Sequence, residues 1–70
     1  MIQALRFSNK RVTAEAVTLC RDGFEVIKKG DESECSYLTL RHRRNHHVIA
    51  LIFDNDKAVM YKDGKFLKQI

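Results

Sequence analysis

A six-residue apolar run, Val48 to Phe53, constrains the fold of this chain more than any other feature of its sequence. The run is apolar at every position, which is typical of a central strand. It is also far shorter than the roughly 20 residues that a membrane-spanning helix needs. The sequence therefore predicts a strand in the middle of a sheet and no membrane-spanning segment.

Turn signals on either side of this run predict an antiparallel meander. Short polar turns are expected at 44–46 and 54–57, and Asp63-Gly64 is the strongest hairpin signal in the chain. The segments between these turns are apolar or alternate between apolar and polar residues. The predicted strands are Leu38–Arg43, His47–Phe53, Ala58–Lys62 and Phe66–Ile70.

The turn lengths also predict which residues share a face of the sheet, because residues directly opposite each other point the same way. Tyr61 is expected opposite Phe66, and Met60 is expected opposite both Leu51 and Leu67. The first face is predicted to be aliphatic or phenyl and comprises Leu38, Leu40, Ile49, Leu51, Phe53, Met60 and Leu67. The second face mixes aromatic, small and charged residues and comprises Tyr37, Thr39, Arg41, Val48, Ala50, Ile52, Val59, Tyr61, Phe66 and Lys68.

The first third of the chain predicts a helix over Lys10–Asp22. Its apolar residues recur at helical spacing and form a single stripe, Val12, Ala16, Leu19 and Cys20. Gly23 is expected to end the helix, and the expected N-cap is Ser8 or Asn9, with Thr13 as an alternative one turn later. A hairpin that turns at Gly23 is the alternative to the helix.

Strands are further predicted at Ile2–Phe7 and Phe24–Lys29, followed by an acidic loop at 30–36. The fold class that follows is α+β, with one N-terminal helix packed on a four- to five-stranded antiparallel β-meander in a single domain, residues 1–70. The sequence leaves open whether the chain is a monomer or a homodimer.

The formal net charge of +4 favours an anionic partner such as nucleic acid or an acidic protein surface. Two cysteines, Cys20 and Cys35, are too few for a disulfide framework in a chain of this size. No signal peptide is predicted, so we expect a cytoplasmic location.

The strongest candidate for a binding site is the basic hairpin, where all three cationic positions, Arg41, Arg43 and Arg44, are arginine. The planar fork of arginine can hold two phosphate oxygens at once. Lys28 and Lys29, at the end of the preceding strand, are expected nearby. The alternative is a solvated turn whose charges protect an apolar strand from aggregation.

The second face is a candidate platform for nucleic-acid bases. Tyr37, Tyr61 and Phe66 are predicted to lie there beside Arg41, and single-stranded nucleic acid is bound by such a combination of stacking and charge. Two alternatives stay open. Tyr61 and Phe66 could serve only as a cross-strand pair that stabilises their hairpin, or a second copy of the chain could bury the whole face.

Three histidines, His42, His46 and His47, cluster near the first turn of the meander. His42 and His47 are expected to be neighbours on the first face, but the spacing matches no standard zinc pattern. The three rings are instead expected to add positive charge in acid. No metal site, cofactor or catalytic residue is predicted.

The sequence thus predicts a small non-enzymatic nucleic-acid-binding or regulatory module whose basic hairpin binds RNA or single-stranded DNA. The alternative is a protein-binding inhibitor or adaptor that docks on an acidic or nucleic-acid-binding surface of a larger protein.

Overall fold

A computed structural model describes residues 7–31 and 35–70 of the chain. The strands form one antiparallel sheet in chain order, so that the first and last strands are its edges. The α+β prediction is confirmed, with one helix and a five-stranded meander. The elements are α1 (Lys10–Arg21), β1 (Phe24–Asp31), β2 (Ser36–His42), β3 (Val48–Phe53), β4 (Ala58–Lys62) and β5 (Lys65–Gln69).

Helix α1 begins at an asparagine cap that also ties the helix to the sheet. The Asn9 side-chain oxygen accepts hydrogen bonds from the backbone N–H groups of Arg11 and Val12, at 2.9 and 3.3 Å. Its side-chain nitrogen donates to the backbone carbonyls of Asp54 and Lys57, at 3.0 and 3.4 Å. Of the three caps that the sequence allowed, the structure therefore uses Asn9.

The end of α1 excludes the alternative hairpin through Gly23. The helix continues to Arg21, and Gly23 then takes a positive φ of 102°, which L side chains rarely adopt. The predicted stripe faces the sheet: Val12, Ala16 and Leu19 are buried. The predicted helix is confirmed. The alternative hairpin is wrong, because only helical periodicity places these three residues on one buried side.

The hydrophobic core lies between α1 and one face of the sheet. The helix stripe packs there against seven buried sheet residues, which are Leu38, Leu40, Ile49, Leu51, Phe53, Ala58 and Met60. Phe7 packs edge-on against Phe53, with ring centroids 5.5 Å apart. The rest of the predicted strand Ile2–Phe7 lies outside the described residues, and Phe7 itself is not in a strand.

The predicted register is confirmed through β2, β3 and β4. Leu51 lies opposite both Leu38 and Met60, and Ala50 lies opposite Tyr61. At the last hairpin, both Asp63 and Gly64 have positive φ angles, as a two-residue turn of the favoured type requires.

The prediction fails beyond this turn, where β5 contains a β-bulge. Tyr61 lies opposite Phe66 as expected, but Met60 lies opposite Lys68 and not Leu67. The extra residue brings Ile70 opposite Ala58, where its N–H donates to the Ala58 carbonyl at 3.0 Å and its side chain packs on the core. Lys68 is therefore on the helix side of the sheet, not on the second face, and Leu67 is half-exposed instead of buried.

Strand β1 is longer than predicted and also irregular. It extends to Asp31, which pairs with Ser36, so both ends of the predicted loop at 30–36 are strand residues. Residues 32–34 of that loop lie outside the described residues. A second bulge lies between Val26 and Lys28. Among the described residues, the twelve-residue α1 is the only helix, and no helix there is long and apolar enough to cross a membrane.

Candidate nucleic-acid interface

The face of the sheet opposite α1 carries most of the predicted site. No other element among residues 7–31 and 35–70 packs on it, and Ile52 and Phe66 expose 39% and 60% of their surface there. We call it the open face, and its residues are Glu25, Lys28, Gly30, Tyr37, Thr39, Arg41, Val48, Ala50, Ile52, Val59, Tyr61, Phe66 and Gln69.

One transverse row crosses all five strands of the open face. Its members are opposite each other in successive strand pairs, in the order Lys28, Thr39, Ala50, Tyr61 and Phe66. Adjacent strands are about 4.8 Å apart, so the row is about 19 Å long. It has a cation at one edge, two aromatic rings at the other, and small side chains between them. A chain molecule laid across the strands would therefore meet little steric obstruction.

The aromatic end of this row is a cross-strand pair. The rings of Tyr61 and Phe66 are edge-to-face, with centroids 5.8 Å apart and an interplanar angle of 82°. This geometry is favourable and stabilises the hairpin. Tyr61 is half-buried by the contact, whereas Phe66 keeps most of its surface exposed. The pair thus holds an aromatic ring in place at the sheet edge, and that ring can still stack on a base.

Tyr37 lies on β2, next to the other edge strand of the sheet, and is directly opposite Gly30 of β1. A Cβ atom on Gly30, the residue opposite Tyr37 in β1, would be 2.5 Å from the tyrosine hydroxyl oxygen and 2.7 Å from Cζ. The ring therefore occupies the space that a side chain at position 30 would fill. Lys28 extends its ammonium group to 5.8 Å from the centroid of the same ring, which is within cation–π range.

Arg41 is exposed on the open face between two neighbouring strands. It lies opposite Glu25 of β1 and Val48 of β3. Glu25 forms an ion pair with Arg43, at 3.5 Å, in which both side chains are more than half exposed. Such exposed ion pairs contribute little to the free energy of unfolding, because water screens the two charges. The carboxylate of Glu25 consequently lowers the positive charge at this end of the face without cancelling it.

Of the eight predicted site residues, the structure brings five together on the open face: Lys28, Tyr37, Arg41, Tyr61 and Phe66. Lys29 lies opposite the buried Leu38 and so belongs to the helix side of the sheet. Arg43 and Arg44 lie in the β2–β3 turn, where they line a groove with the C-terminal end of α1. The predicted basic hairpin is thus divided between two surfaces, and Arg43 borders both, since it pairs with Glu25 and also lines a smaller groove with Arg41.

His42 has a structural role that its sequence context did not suggest. Its Nδ1 accepts hydrogen bonds from the backbone N–H groups of Arg44 and Asn45, at 3.1 and 3.3 Å. The ring proton is therefore on Nε2, which donates to the Asp22 carbonyl at 2.9 Å. The ring also packs edge-on against Phe24, with centroids 4.9 Å apart. His42 thus connects the β2–β3 turn to the end of α1.

The other histidines do not join His42 in a ligand set. His47 donates from Nδ1 to Asp63 at 2.7 Å, and the other Asp63 oxygen accepts from the Val48 N–H at 2.9 Å. These two hydrogen bonds, the one from Val48 foremost, hold the pKa of the Asp63 carboxyl below its ordinary value of 3.8. Within the ranges 7–31 and 35–70, no three histidine, cysteine or acidic residues are placed to hold a metal ion.

Sequence reasoning missed Arg21 and Gly30. Because Gly23 ends the helix, the last helical turn lies near the strands that follow it. This position was a signal that Arg21 could lie close to the arginines of the β2–β3 turn. Gly30 gave no such signal, because its place beneath Tyr37 depends on the bulge in β1.

Comparison of the chain with protein-family models, with curated proteins and with solved structures finds no match.

Proposed function

We propose that the open face binds single-stranded nucleic acid, and that the chain is a small, non-enzymatic binding or regulatory module. Bases stack on Phe66 and on the accessible parts of Tyr61 and Tyr37. Lys28 and Arg41 contact the phosphates. The observation that carries the proposal is the transverse row, which sets an exposed aromatic pair and a cation at opposite edges of an uncovered sheet.

The energetic contributions are those of a modest binder. Stacking of one base on an aromatic side chain contributes about 1–3 kcal/mol, so one base on Phe66 and one on Tyr37 would contribute about 2–6 kcal/mol. Each phosphate that is neutralised on a single strand adds about 0.7 to the slope of log affinity against log salt. Lys28 and Arg41 together therefore predict a slope of about −1.4 from this face.

Fluorescence anisotropy with labelled oligo(U) and oligo(dT) tests the proposal. Phe66→Ala is expected to weaken binding about tenfold, because it removes a stacking surface. Leu67→Ala is the matched control, since Leu67 is its half-exposed neighbour on β5 but is the unpaired bulge residue and has no place in the transverse row. Arg41→Gln is expected to make the salt slope shallower by about 0.7.

The failure of every single-stranded oligonucleotide to bind at low salt would overturn the proposal. A protein that stays bound to the chain after nuclease treatment, through Ile52 and Phe66, would favour the alternative of a protein-binding inhibitor or adaptor. The exposed apolar side chains of the open face are the observation that supports this alternative.

A further inference from the structure

A second candidate site is a groove away from the transverse row of the open face. It has a volume of about 600 Å³ and lies between the C-terminal end of α1 and the β2–β3 turn. Its lining residues are Arg21, Asp22, Gly23, His42, Arg43 and Arg44. Because α1 packs on the opposite side of the sheet, this groove is distinct from the transverse row. Arg43 and His42, however, also line the smaller groove that includes Arg41.

The charge of this groove distinguishes it from two smaller grooves, one beside Tyr37 and one beside Glu25. Three arginines and a single carboxylate line it, which leaves a formal net charge of +2 when His42 is neutral. The 300 Å³ groove beside Tyr37 has one lysine and one aspartate and is formally neutral. The 240 Å³ groove beside Glu25 has two arginines and one glutamate, for a net charge of +1. Of these three grooves, the one with a net charge of +2 therefore matches the charge of a dianion best.

Hydrogen bonds fix the two walls of the groove relative to each other. The Arg43 N–H donates to the Gly23 carbonyl at 3.0 Å, and His42 joins the Asp22 carbonyl to the amides of the turn. Gly23 is needed here, since a Cβ atom would be 2.8 Å from His42 Nε2 and the φ is positive. The arginines are thus held on a shaped scaffold and not on a loose loop.

The end of a helix carries partial negative charge, which opposes an anion at this site. Two features offset it. The carbonyls of Leu19 and Cys20 accept hydrogen bonds from the backbone N–H groups of Asp22 and Gly23. The carbonyls of Asp22 and Gly23 are in turn occupied by His42 and Arg43. An entering anion would consequently meet few unpaired lone pairs.

The guanidinium groups are available to a ligand. Over residues 7–31 and 35–70, the side chains of Arg21 and Arg44 make no hydrogen bond or ion pair, and Arg43 makes only the exposed pair with Glu25. Arginine forks hold tetrahedral oxyanions in a bidentate way. A phosphate monoester carries a charge of about −1.5 to −2 at neutral pH, which matches the charge of the groove.

We propose that this groove binds a phosphate dianion through Arg21, Arg43 and Arg44. The dianion is either free inorganic phosphate or the terminal phosphate of a nucleotide or nucleic-acid strand. The site does not rest on the function proposed for the open face, and either one can exist without the other.

Amide NMR spectra of the intact chain test this site by titration with sodium phosphate at neutral pH and constant ionic strength. Saturable shifts are expected at Gly23, Arg43 and Arg44. Arg21→Gln and Arg44→Gln are each expected to weaken binding about tenfold or more, since each removes a charge-assisted hydrogen bond. Lys65→Gln removes the same charge at the β4–β5 hairpin, outside the lining of the groove, and is expected to leave affinity unchanged within about twofold.

Two further arms separate the fork from the charge and one source of phosphate from the other. Arg44→Lys keeps the charge but lacks the fork, so it is expected to lose most of the affinity. An oligo(dT) with a 5′-phosphate is expected to shift the groove amides more than the same strand with a 5′-hydroxyl if strands supply the dianion. Shifts by inorganic phosphate alone would assign the site to free phosphate. Unsaturable shifts, or equal losses in Lys65→Gln and Arg44→Gln, would overturn the proposal.

Discussion

Replacement of Asn9 by alanine is expected to destabilise the fold more than an ordinary cap substitution does. Asn9 is 2% exposed, and it is the only buried polar side chain among the described residues. Loss of an N-cap costs about 1 kcal/mol, and a carbonyl left without its donor costs about 1 kcal/mol or more. The Asp54 carbonyl loses its donor, whereas that of Lys57 still accepts from the Asp54 N–H at 2.9 Å. The expected total is about 2–3 kcal/mol.

This loss is large for a chain of 70 residues. At about 0.05–0.15 kcal/mol per residue, the whole free energy of unfolding is about 3.5–10 kcal/mol. The corresponding fall in melting temperature is about 10–20 °C. Urea unfolding followed by circular dichroism measures the change, and the midpoint should fall while the slope with denaturant stays constant.

Two variants make this reasoning refutable. Asn9→Ser keeps a capping oxygen but cannot also reach the β3–β4 turn, so it is expected to cost only about 1 kcal/mol. Ser8→Ala changes an exposed neighbour and is expected to stay within about 0.5 kcal/mol of the parent. The reasoning is wrong if Asn9→Ser and Asn9→Ala cost the same, or if Asn9→Ala costs less than about 0.5 kcal/mol.

Three further predictions concern single side chains. The pKa of the Asp63 carboxyl is lower in the folded chain than its ordinary value of 3.8, so the carboxylate stabilises the fold above pH 3.8. This stabilisation is lost as the pH falls through the lower pKa of the folded chain. Between about pH 7 and pH 3, urea midpoints should therefore fall less in Asp63→Asn than in the parent. Gly30→Ala should cost about 1–3 kcal/mol by overpacking against Tyr37, and less in a Tyr37→Leu background, as measured by urea unfolding. His42→Phe keeps the aromatic packing but loses three hydrogen bonds, so calorimetry should show a loss of about 1–2 kcal/mol.

Each of these predictions has its own contrary outcome. An equally steep acid response in Asp63→Asn would show that its two hydrogen bonds do not contribute to acid stability. An equal cost of Gly30→Ala with and without the tyrosine ring would mean that the contact is not the cause. His42→Phe at parental stability would mean that water replaces the bonds made by the ring.

Much of the fold could be predicted from local patterns. The turns at 44–46 and 54–57, together with the alternating apolar residues, specify the register of the three central strands, because a slip of one residue would expose Leu38 or Leu51. The same argument placed Tyr37, Arg41, Tyr61 and Phe66 on one face. Because side chains alternate between the two faces of a sheet, the burial of one face also determines which residues lie on the other.

The edges could not be predicted in this way. In β5 every residue is exposed, so no buried side chain before Ile70 fixed the register, and the bulge at Leu67 left no trace in the pattern. The division of the basic hairpin depends on His42, whose bond to Asp22 joins residues 20 positions apart. Long-range contacts of this kind follow from the fold and cannot be read from spacing.

The central claim is that the open face binds single-stranded nucleic acid. Amide and methyl NMR shifts on titration with a 5′-hydroxyl oligo(U) test it most directly. The account predicts the largest shifts along Lys28, Thr39, Ala50, Tyr61 and Phe66, with α1 unaffected. Shifts confined to α1 and the β2–β3 turn, or no shifts at low salt, would contradict it.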